Sequence, residues 1–233
     1  CLAFLPVCMM DFSRPSDKRN MEQEKEFWDA WKSAFSAVIS NSRLWLAGAL
    51  EMLVYLVTYS IKAFLPLYAL YTADFNLLAV GLFFTVQETA HLVMRPIGGR
   101  FGDRVGYLAA INTGYLVLVV GLSLLPYATA HVELLAIAVV IGAGQGLIFP
   151  STVAFVSRCV DTRHLGAGMG FLGAVRNFGK VAGPLTAGAL LTRMDYSQVF
   201  HLGGAVALLV VLTLLLLQKN YLEWIFSRTK LTN

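Results

Sequence analysis

Residues 95–106 read Arg-Pro-Ile-Gly-Gly-Arg-Phe-Gly-Asp-Arg-Val-Gly and separate two long apolar stretches. The stretch before them covers 75–98, and the stretch after them covers 105–130. Glycine lets a chain reverse tightly, and clustered arginines are typical of the cytoplasmic end of a membrane hairpin. The segment therefore predicts a very short turn between two membrane-spanning helices.

The rest of the chain repeats this alternation of apolar stretch and polar break. Of its 233 residues, 57% are hydrophobic and 14% charged, whereas soluble domains carry about a quarter charged residues. Long apolar runs without strand alternation satisfy their backbone in hydrocarbon as helices. We predict an all-α integral membrane protein with six transmembrane helices, at 44–70, 75–98, 105–130, 134–157, 165–191 and 196–218.

Lysine and arginine lie in alternate connections, which fixes the predicted orientation. Fourteen of the 18 fall in 11–43, 95–104, 158–163 and the region after 218, while the other connections hold only Arg193. Cytoplasmic loops retain such an excess, so we expect both termini in the cytoplasm and the protein in the inner or plasma membrane of the cell. Because the cations lie beside apolar runs and form no single basic face, a nucleic-acid partner is not expected.

The region before the first span has its own pattern. Aromatic and apolar side chains recur there every three or four residues, at Phe27, Trp31, Phe35 and Val38. This spacing predicts an amphipathic helix on the inner membrane face, with a solvated linker helix as the alternative.

The predicted domain boundaries follow from these patterns. The chain begins with Cys1, so we expect residues 1–10 to be the end of a truncated preceding transmembrane helix. A central cytoplasmic loop with the amphipathic helix covers 11–43, the six-helix unit 44–218, and a cytoplasmic tail 219–233.

The segment at 95–106 contains the pattern Gly-x-x-x-Asp-Arg-x-Gly, which resembles the signature loop of the major facilitator superfamily. The resemblance implies a conformational role for the segment, with Asp103 pairing to a helix end in the other half of a transporter. The residues that carry this role are Arg95, Gly99, Gly102, Asp103, Arg104 and Gly106. Tyr107 and Leu108 depart from the pattern, since basic residues often follow there. A positive-inside hairpin without further role is the alternative.

A second resemblance lies in the fifth span. Gly179, Gly183, Pro184 and Gly188 are similar to the Gly-x-x-x-Gly-Pro stretch of the family's antiporter-like helices, and small residues one turn apart predict close helix packing. The fourth span, with Gly142 to Gly146 and Pro150, resembles the family's tenth helix.

Together the resemblances imply the second half of a transporter. Such a half is built from two inverted three-helix repeats and needs the missing N-terminal six-helix half as its partner. In the family, the two halves rock about a site at the membrane midplane, driven by a proton or solute gradient.

Ionisable residues inside the spans form stripes on single helix faces and mark a predicted cavity. The stripes lie on the first, second and fifth spans, whereas the third and sixth spans are apolar and predicted to face lipid. The candidates for binding a solute or handling a proton are Glu51, Lys62, Glu88, His91, Gln145, Arg176 and Lys180. Three cations against two acids lean toward an anionic or zwitterionic small solute.

Several of these candidates have structural alternatives. Glu88 and Arg176 are a possible buried ion pair, since both fall near the predicted midplane, and Lys62 is equally suited to reach outward toward the membrane surface. His91 alone is more often a packing residue than a proton relay. A single Glu88-x-x-His91 pair is too little for a metal site, so neither metal nor cofactor is expected.

These patterns favour secondary active transport, which we expect to be proton-coupled, over two rival classes. An intramembrane enzyme would need a nucleophile or metal motif, and neither Gly-x-Ser-x-Gly nor His-Glu-x-x-His occurs in the sequence, so we expect no enzyme. A receptor-like or structural helical bundle is the other alternative.

Overall fold

The computed structural model describes the backbone of residues 17–71, 73 and 75–229. Its side chains are described for residue 25, residues 28–29 and, apart from 72 and 74, residues 31–216. The helices are α1 (Asp17–Ile39), α2 (Ser42–Tyr71), α3 (Leu77–Val105), α4 (Tyr107–Leu124), α5 (His131–Cys159), α6 (Leu165–Leu191) and α7 (Tyr196–Thr229). Short 3₁₀ turns follow α4 at Leu125–Tyr127 and precede α6 at Thr162–His164. The helix predicted at 1–10 lies outside the described residues.

Helix α1 belongs to a first unit that ends at Ser40, and a second unit begins at Asn41. Within α1, the rings of Trp31 and Phe35 stack at 5.2 Å, and Trp28 meets Trp31 edge-on at 6.1 Å. Trp31 and Phe35 are each 52% exposed, whereas Val38 is buried, and the side chain of Phe27 lies outside the described ones. The place of α1 on a membrane face stays a prediction.

Five helices among the described residues are long and apolar enough to cross a membrane. They are α2, α3, α4 with its 3₁₀ turn, α5 and the part of α7 up to Leu216. Helix α6 is long enough but less apolar, because Arg176, Lys180 and several glycines lower its hydropathy. The chain is therefore a multi-pass membrane protein, with α6 as the one predicted span that composition does not establish.

Side-chain caps explain where several helices begin. The Asn41 side-chain oxygen accepts hydrogen bonds from the backbone of Arg43 and Leu44, at 3.1 and 3.2 Å. Asn76 caps α3 by accepting from the Ala79 N–H at 2.8 Å. At the start of α5, Glu133 accepts from the backbone N–H of Ala130 at 3.1 Å. Each cap satisfies backbone donors that the first helical turn leaves unpaired.

The predicted turn at 95–106 is wrong in extent, because α3 continues through Val105. The break between α3 and α4 is Gly106 alone, with φ of +95° and an N–H that donates to the Gly102 carbonyl at 3.0 Å. A positive φ suits glycine, which explains why the helix ends there. The signature segment is thus the last turns of a helix. Similarly, α7 continues to Thr229, so the region from 219 begins as helix.

Glycines let two pairs of helices pack backbone to backbone. Helix α3 packs along α5, where a Cβ on Gly142 would meet the Gln87 carbonyl oxygen. Helix α2 packs along α6, where a Cβ on Gly183 would meet the Leu56 carbonyl oxygen. Inside a membrane the hydrophobic effect does not drive helices together, so close packing of this kind stabilises their association.

The predicted packing motif of α6 lies at this second crossing. Gly179 faces the Met52 carbonyl, and Gly188 faces the ring of Phe64. Beside Pro184, which is inside the helix, the Gly183 carbonyl accepts a hydrogen bond from the Ser60 hydroxyl at 2.9 Å. Helix α4 packs against α5 and α7 on the other side of the bundle.

Candidate substrate cleft

Four helices line a polar cleft of about 140 Å³ in the bundle. Helices α2, α3, α5 and α6 contribute its side chains, and none of the described side chains of α4 or α7 lines it. The lining residues are Tyr55, Thr58, Tyr59, Lys62, Glu88, His91, Arg95, Gln145, Phe149 and Lys180. The structure thus brings together five of the seven predicted cavity residues, namely Lys62, Glu88, His91, Gln145 and Lys180.

A chain of charged and polar groups runs across the cleft from α2 to α3. Lys62 Nζ lies 2.7 Å from Glu88 Oε1, and Glu88 Oε2 lies 3.3 Å from His91 Nδ1. Arg95 Nε donates to His91 Nε2 at 3.2 Å. Because Arg95 can only donate, His91 Nε2 accepts, and the imidazole proton belongs on Nδ1 facing Glu88. Of the two possibilities considered for Lys62, the contact with Glu88 favours a place in the cleft over an outward reach to the membrane surface.

Lys180 has aromatic rings as its neighbours. Its Nζ lies 5.3 Å from the Tyr55 ring centroid and 5.7 Å from that of Tyr59. A cation over an aromatic face gains about 0.5–2 kcal/mol, while a lysine near the centre of a membrane helix costs about 2.5–3.5 kcal/mol by insertion scales. Taken over two rings, the gain and the cost are of similar size, but the rings are neutral and supply Lys180 with no countercharge.

Glu51 and Arg176 form a separate ion pair beside the cleft. Arg176 Nε donates to Glu51 Oε2 at 3.0 Å, and its Nη2 donates to Oε1 at 3.2 Å. Neither residue is among the cleft lining, and the Glu51 side chain is fully buried. The pair considered from the sequence, Glu88 with Arg176, is therefore wrong, because each residue has a different partner.

Buried side-chain hydrogen bonds connect three helices at the cleft. Gln87 Nε2 on α3 donates to Gln145 Oε1 on α5 at 3.0 Å, and Gln145 Nε2 donates to Thr58 Oγ1 on α2 at 2.9 Å. Thr58 Oγ1 in turn donates to the Val54 carbonyl at 2.6 Å. Gln145 lies at the centre of this network and is 2% exposed, so its amide orients the neighbouring side chains more than it offers itself to a ligand.

Flat rings form one wall of the cleft. Tyr55 and Phe149 stack at 4.8 Å with planes 21° apart, and the His91 ring lies 5.0 Å from Phe149. Sequence reasoning missed Tyr59, Phe149 and Gln87. Tyr59 was detectable, because it lies one turn after Tyr55 on the face that carries Lys62.

The signature residues divide between two places. Arg95 lines the cleft, whereas Gly102, Asp103 and Gly106 line a separate groove of about 580 Å³. There Tyr107, the residue that departs from the family pattern, donates its hydroxyl to Asp103 Oδ1 at 2.8 Å.

Gly98 and Gly99, neighbours in this segment, have different surroundings in the structure. Gly99 faces open space: apart from its own helix backbone, no described atom lies within 4 Å of where its Cβ would lie. Gly98 instead makes a close approach to the Gly146 backbone. Arg104 is exposed in the last turn of α3.

The described side chains that could bind a metal ion are not clustered. Among the described side chains, no three His, Cys, Asp or Glu residues lie together. The charged groups of the cleft instead contact one another, the His91 imidazole or aromatic rings.

A bundle of apolar helices around a charged cleft defines a polytopic membrane protein with an internal polar site. The family model of the Major Facilitator Superfamily matches residues 49–229, which is most of the chain. The chain belongs to the major facilitator superfamily.

Two relatives give the extent of the similarity. The chain is 30% identical over 124 residues to the uncharacterized MFS-type transporter Rv1250 of Mycobacterium tuberculosis, which is 52% of this chain and 21% of that protein. It is 20% identical over 158 residues to the quinolone resistance protein NorA of Staphylococcus aureus, which is 67% of this chain and 40% of that protein. The chain therefore spans less than half the length of these curated relatives.

Proposed function

We propose that this chain is the C-terminal six-helix half of a secondary active transporter, which moves a small solute by alternating access. The observation that carries the proposal is the cleft itself: a charged chamber between four helices of an otherwise apolar bundle. Ionisable groups in a membrane interior are costly and are retained where they serve a pathway or a partner. A structural bundle would have no use for so many of them in one cleft.

The two glycine crossings support the proposed pair of inverted three-helix repeats. The two repeats would be α2–α3–α4 and α5–α6–α7. Helix α3, the second of its repeat, packs on α5, the first of the other repeat. Likewise α6, the second of its repeat, packs on α2, the first of the other. An internal two-fold relation of this kind is typical of transporter halves. It makes α6 the equivalent of α3, and therefore a sixth span.

We assign proton coupling to Glu88 and a supporting role to Glu51. The Glu88 side chain is 50% exposed and contacts both Lys62 and His91, so its carboxylate can exchange protons with water and report that exchange to two neighbours. Glu51 is fully buried and held by two hydrogen bonds from Arg176. A carboxylate held in that way is suited to fixing α6 against α2.

In this proposal both termini are cytoplasmic, and a preceding six-helix half completes the cavity. The groove around Asp103 then lies at the cytoplasmic surface, where the missing half is expected to offer a helix end to the carboxylate. The present partner of Asp103 is Tyr107 on the same hairpin, so exchange of one partner for the other would accompany rocking of the halves.

The experiment is a flux assay on the longest form of the protein that its gene encodes, reconstituted in liposomes with an imposed proton gradient. Wild-type vesicles should accumulate at least one solute from a panel of small anions, zwitterions and cations. Glu88→Gln should reduce the gradient-driven part of that uptake, and Asp161→Asn, which changes an exposed acid in a connection, should not. Uptake equal to that of empty liposomes for every solute would contradict the transport proposal.

A further inference from the structure

We propose that the cleft binds a small organic anion whose negative charge is carried on a flat apolar ring. The inference rests on the proposed transport function and names its class of substrate. It stands on two features of the cleft that reinforce each other, an excess of positive charge and an adjacent aromatic wall.

The charges that line the cleft do not balance. Lys62, Arg95 and Lys180 are three cations, and Glu88 is the single carboxylate among the lining residues, which leaves an excess of two positive charges. Glu88 is already engaged by Lys62 at 2.7 Å. The nearby Glu51 offers no relief, because Arg176 occupies both of its oxygens.

Two of the three cations have only neutral neighbours. Arg95 donates to the imidazole of His91, and Lys180 lies over the Tyr55 and Tyr59 rings. Among the described side chains, no carboxylate oxygen lies within 4.0 Å of either cation. A bound anion would supply the missing countercharge, whereas a bound cation would be repelled by both.

The aromatic wall selects the rest of the ligand. Tyr55 stacks on Phe149, and Lys180 lies over the Tyr55 ring, so the positive charge and the flat surface adjoin. A ring attached to a carboxylate matches both at once, since stacking favours a flat apolar face and the cations favour the carboxylate. The cleft volume of about 140 Å³ is roughly ten times the minimum that holds one water, which suits a ligand of one ring.

The test is calorimetric titration of the longest encoded protein, in nanodiscs, with four probes of related shape. Benzoate carries both charge and ring, acetate the charge alone, benzylammonium the ring with opposite charge, and cyclohexanecarboxylate a ring that is not flat. Benzoate should bind about tenfold more tightly than each of the others. Equal affinity for benzylammonium would overturn the inference. The absence of benzoate binding would also overturn it, because it would mean that the rest of the protein neutralises the cations.

Variants connect the binding to this cleft. Lys180→Gln and Arg95→Gln should each weaken benzoate binding about tenfold, the loss expected for one charge-assisted hydrogen bond. Lys180→Arg keeps the charge and should retain binding, and Arg193→Gln, an exposed cation in a connection, is the matched control. If Lys180→Gln folds and binds benzoate like the wild type, the ligand does not occupy this cleft and the inference fails.

Flux measurements separate this inference from the transport proposal. Proteoliposomes that take up benzylammonium and exclude benzoate would support transport and contradict the anion inference. Benzoate binding that requires Lys180, in a protein that moves no solute, would support the inference and contradict transport.

Discussion

Arg176 on α6 holds Glu51 on α2 through two hydrogen bonds, of 3.0 and 3.2 Å. The pair lies on the same two helices whose backbones meet at Gly179 and Gly183. Helix α6 carries two cations, Arg176 and Lys180, and the charge at 176 is tolerated because a carboxylate stands opposite. Electrostatics and close packing thus fix the same helix pair.

Removing one member of this pair should destabilise the bundle. Arg176→Gln leaves the fully buried Glu51 carboxylate without its cation, and breaking a buried pair costs about 3–5 kcal/mol. Glu51→Gln should cost less, because the Arg176 side chain is 27% exposed and retains contact with solvent. The measurement is the free energy of unfolding in mixed micelles.

The double variant distinguishes a structural pair from a substrate site. Glu51→Gln with Arg176→Gln should regain more than half of the stability lost in Arg176→Gln, because no uncompensated charge remains. Losses that simply add would show that the two side chains act independently.

The sequence suggested a pair of Glu88 with Arg176, whereas the structure pairs Glu88 with Lys62 and Arg176 with Glu51. The predicted second span, 75–98, has Glu88 near its centre. Helix α3 extends to Val105, so its centre lies about three residues after Glu88. At about 1.5 Å per residue, Glu88 lies about 4–5 Å from the centre of α3, toward the N-terminal end of that helix. The depth of a residue in the membrane also does not determine which helices are neighbours, because that depends on how the helices pack.

The glycine crossings should be sensitive to a single methyl group. Gly142→Ala places a Cβ against the Gln87 carbonyl, and Gly183→Ala places one against that of Leu56. Each should lower the free energy of unfolding by about 1–3 kcal/mol, because backbone atoms cannot move aside as side chains do. Gly99→Ala is the control, since its Cβ would meet open space and alanine favours the helix by about 0.5–1 kcal/mol. Equal losses in all three variants would contradict the packing.

Gln145 should contribute to stability as the centre of the buried amide network. Gln145→Leu leaves the Gln87 amide without its acceptor and removes a donor from Thr58, with an expected loss of about 1–2 kcal/mol. Changing Gln87 and Gln145 to leucine together should cost less than the sum of the single changes, because the orphaned amide is then gone. Additive losses, measured by unfolding in micelles, would argue against the network.

Spacing predicted the stripes of α2 and α3, because residues three or four apart on one helix share a face whatever surrounds them. The same rule explains why Glu88, His91 and Arg95 lie on one face of α3 and contact one another in series. Phe149 was not predicted, since an aromatic residue in an apolar run carries no signal until a second helix faces it. Gly98 was missed for the same reason: its contact is with Gly146 on α5, far away in sequence.

Asp103 should matter for transport and little for folding. The residue is exposed and accepts one hydrogen bond from Tyr107, so Asp103→Asn should change the free energy of unfolding by less than about 0.5 kcal/mol. If its charge is used by the missing half during rocking, the variant should lose flux in the liposome assay. Arg100→Gln, an exposed change on the same helix, should retain more. Full flux in the Asp103 variant would remove its role in gating.

The orientation of the bundle predicts opposite accessibility at its two ends. Tyr71, at the end of α2, is 79% exposed, and Arg163 is exposed in the connection between α5 and α6. Fourteen lysines and arginines fall in the segments expected on the side of Arg163, against Arg193 alone in the other connections, so we predict that Arg163 is cytoplasmic. In a variant with Cys1, Cys8 and Cys159 changed to serine, Tyr71→Cys should react with a membrane-impermeant maleimide added to intact cells. Arg163→Cys should react only after the membrane is opened, and labelling of both from outside would contradict the topology.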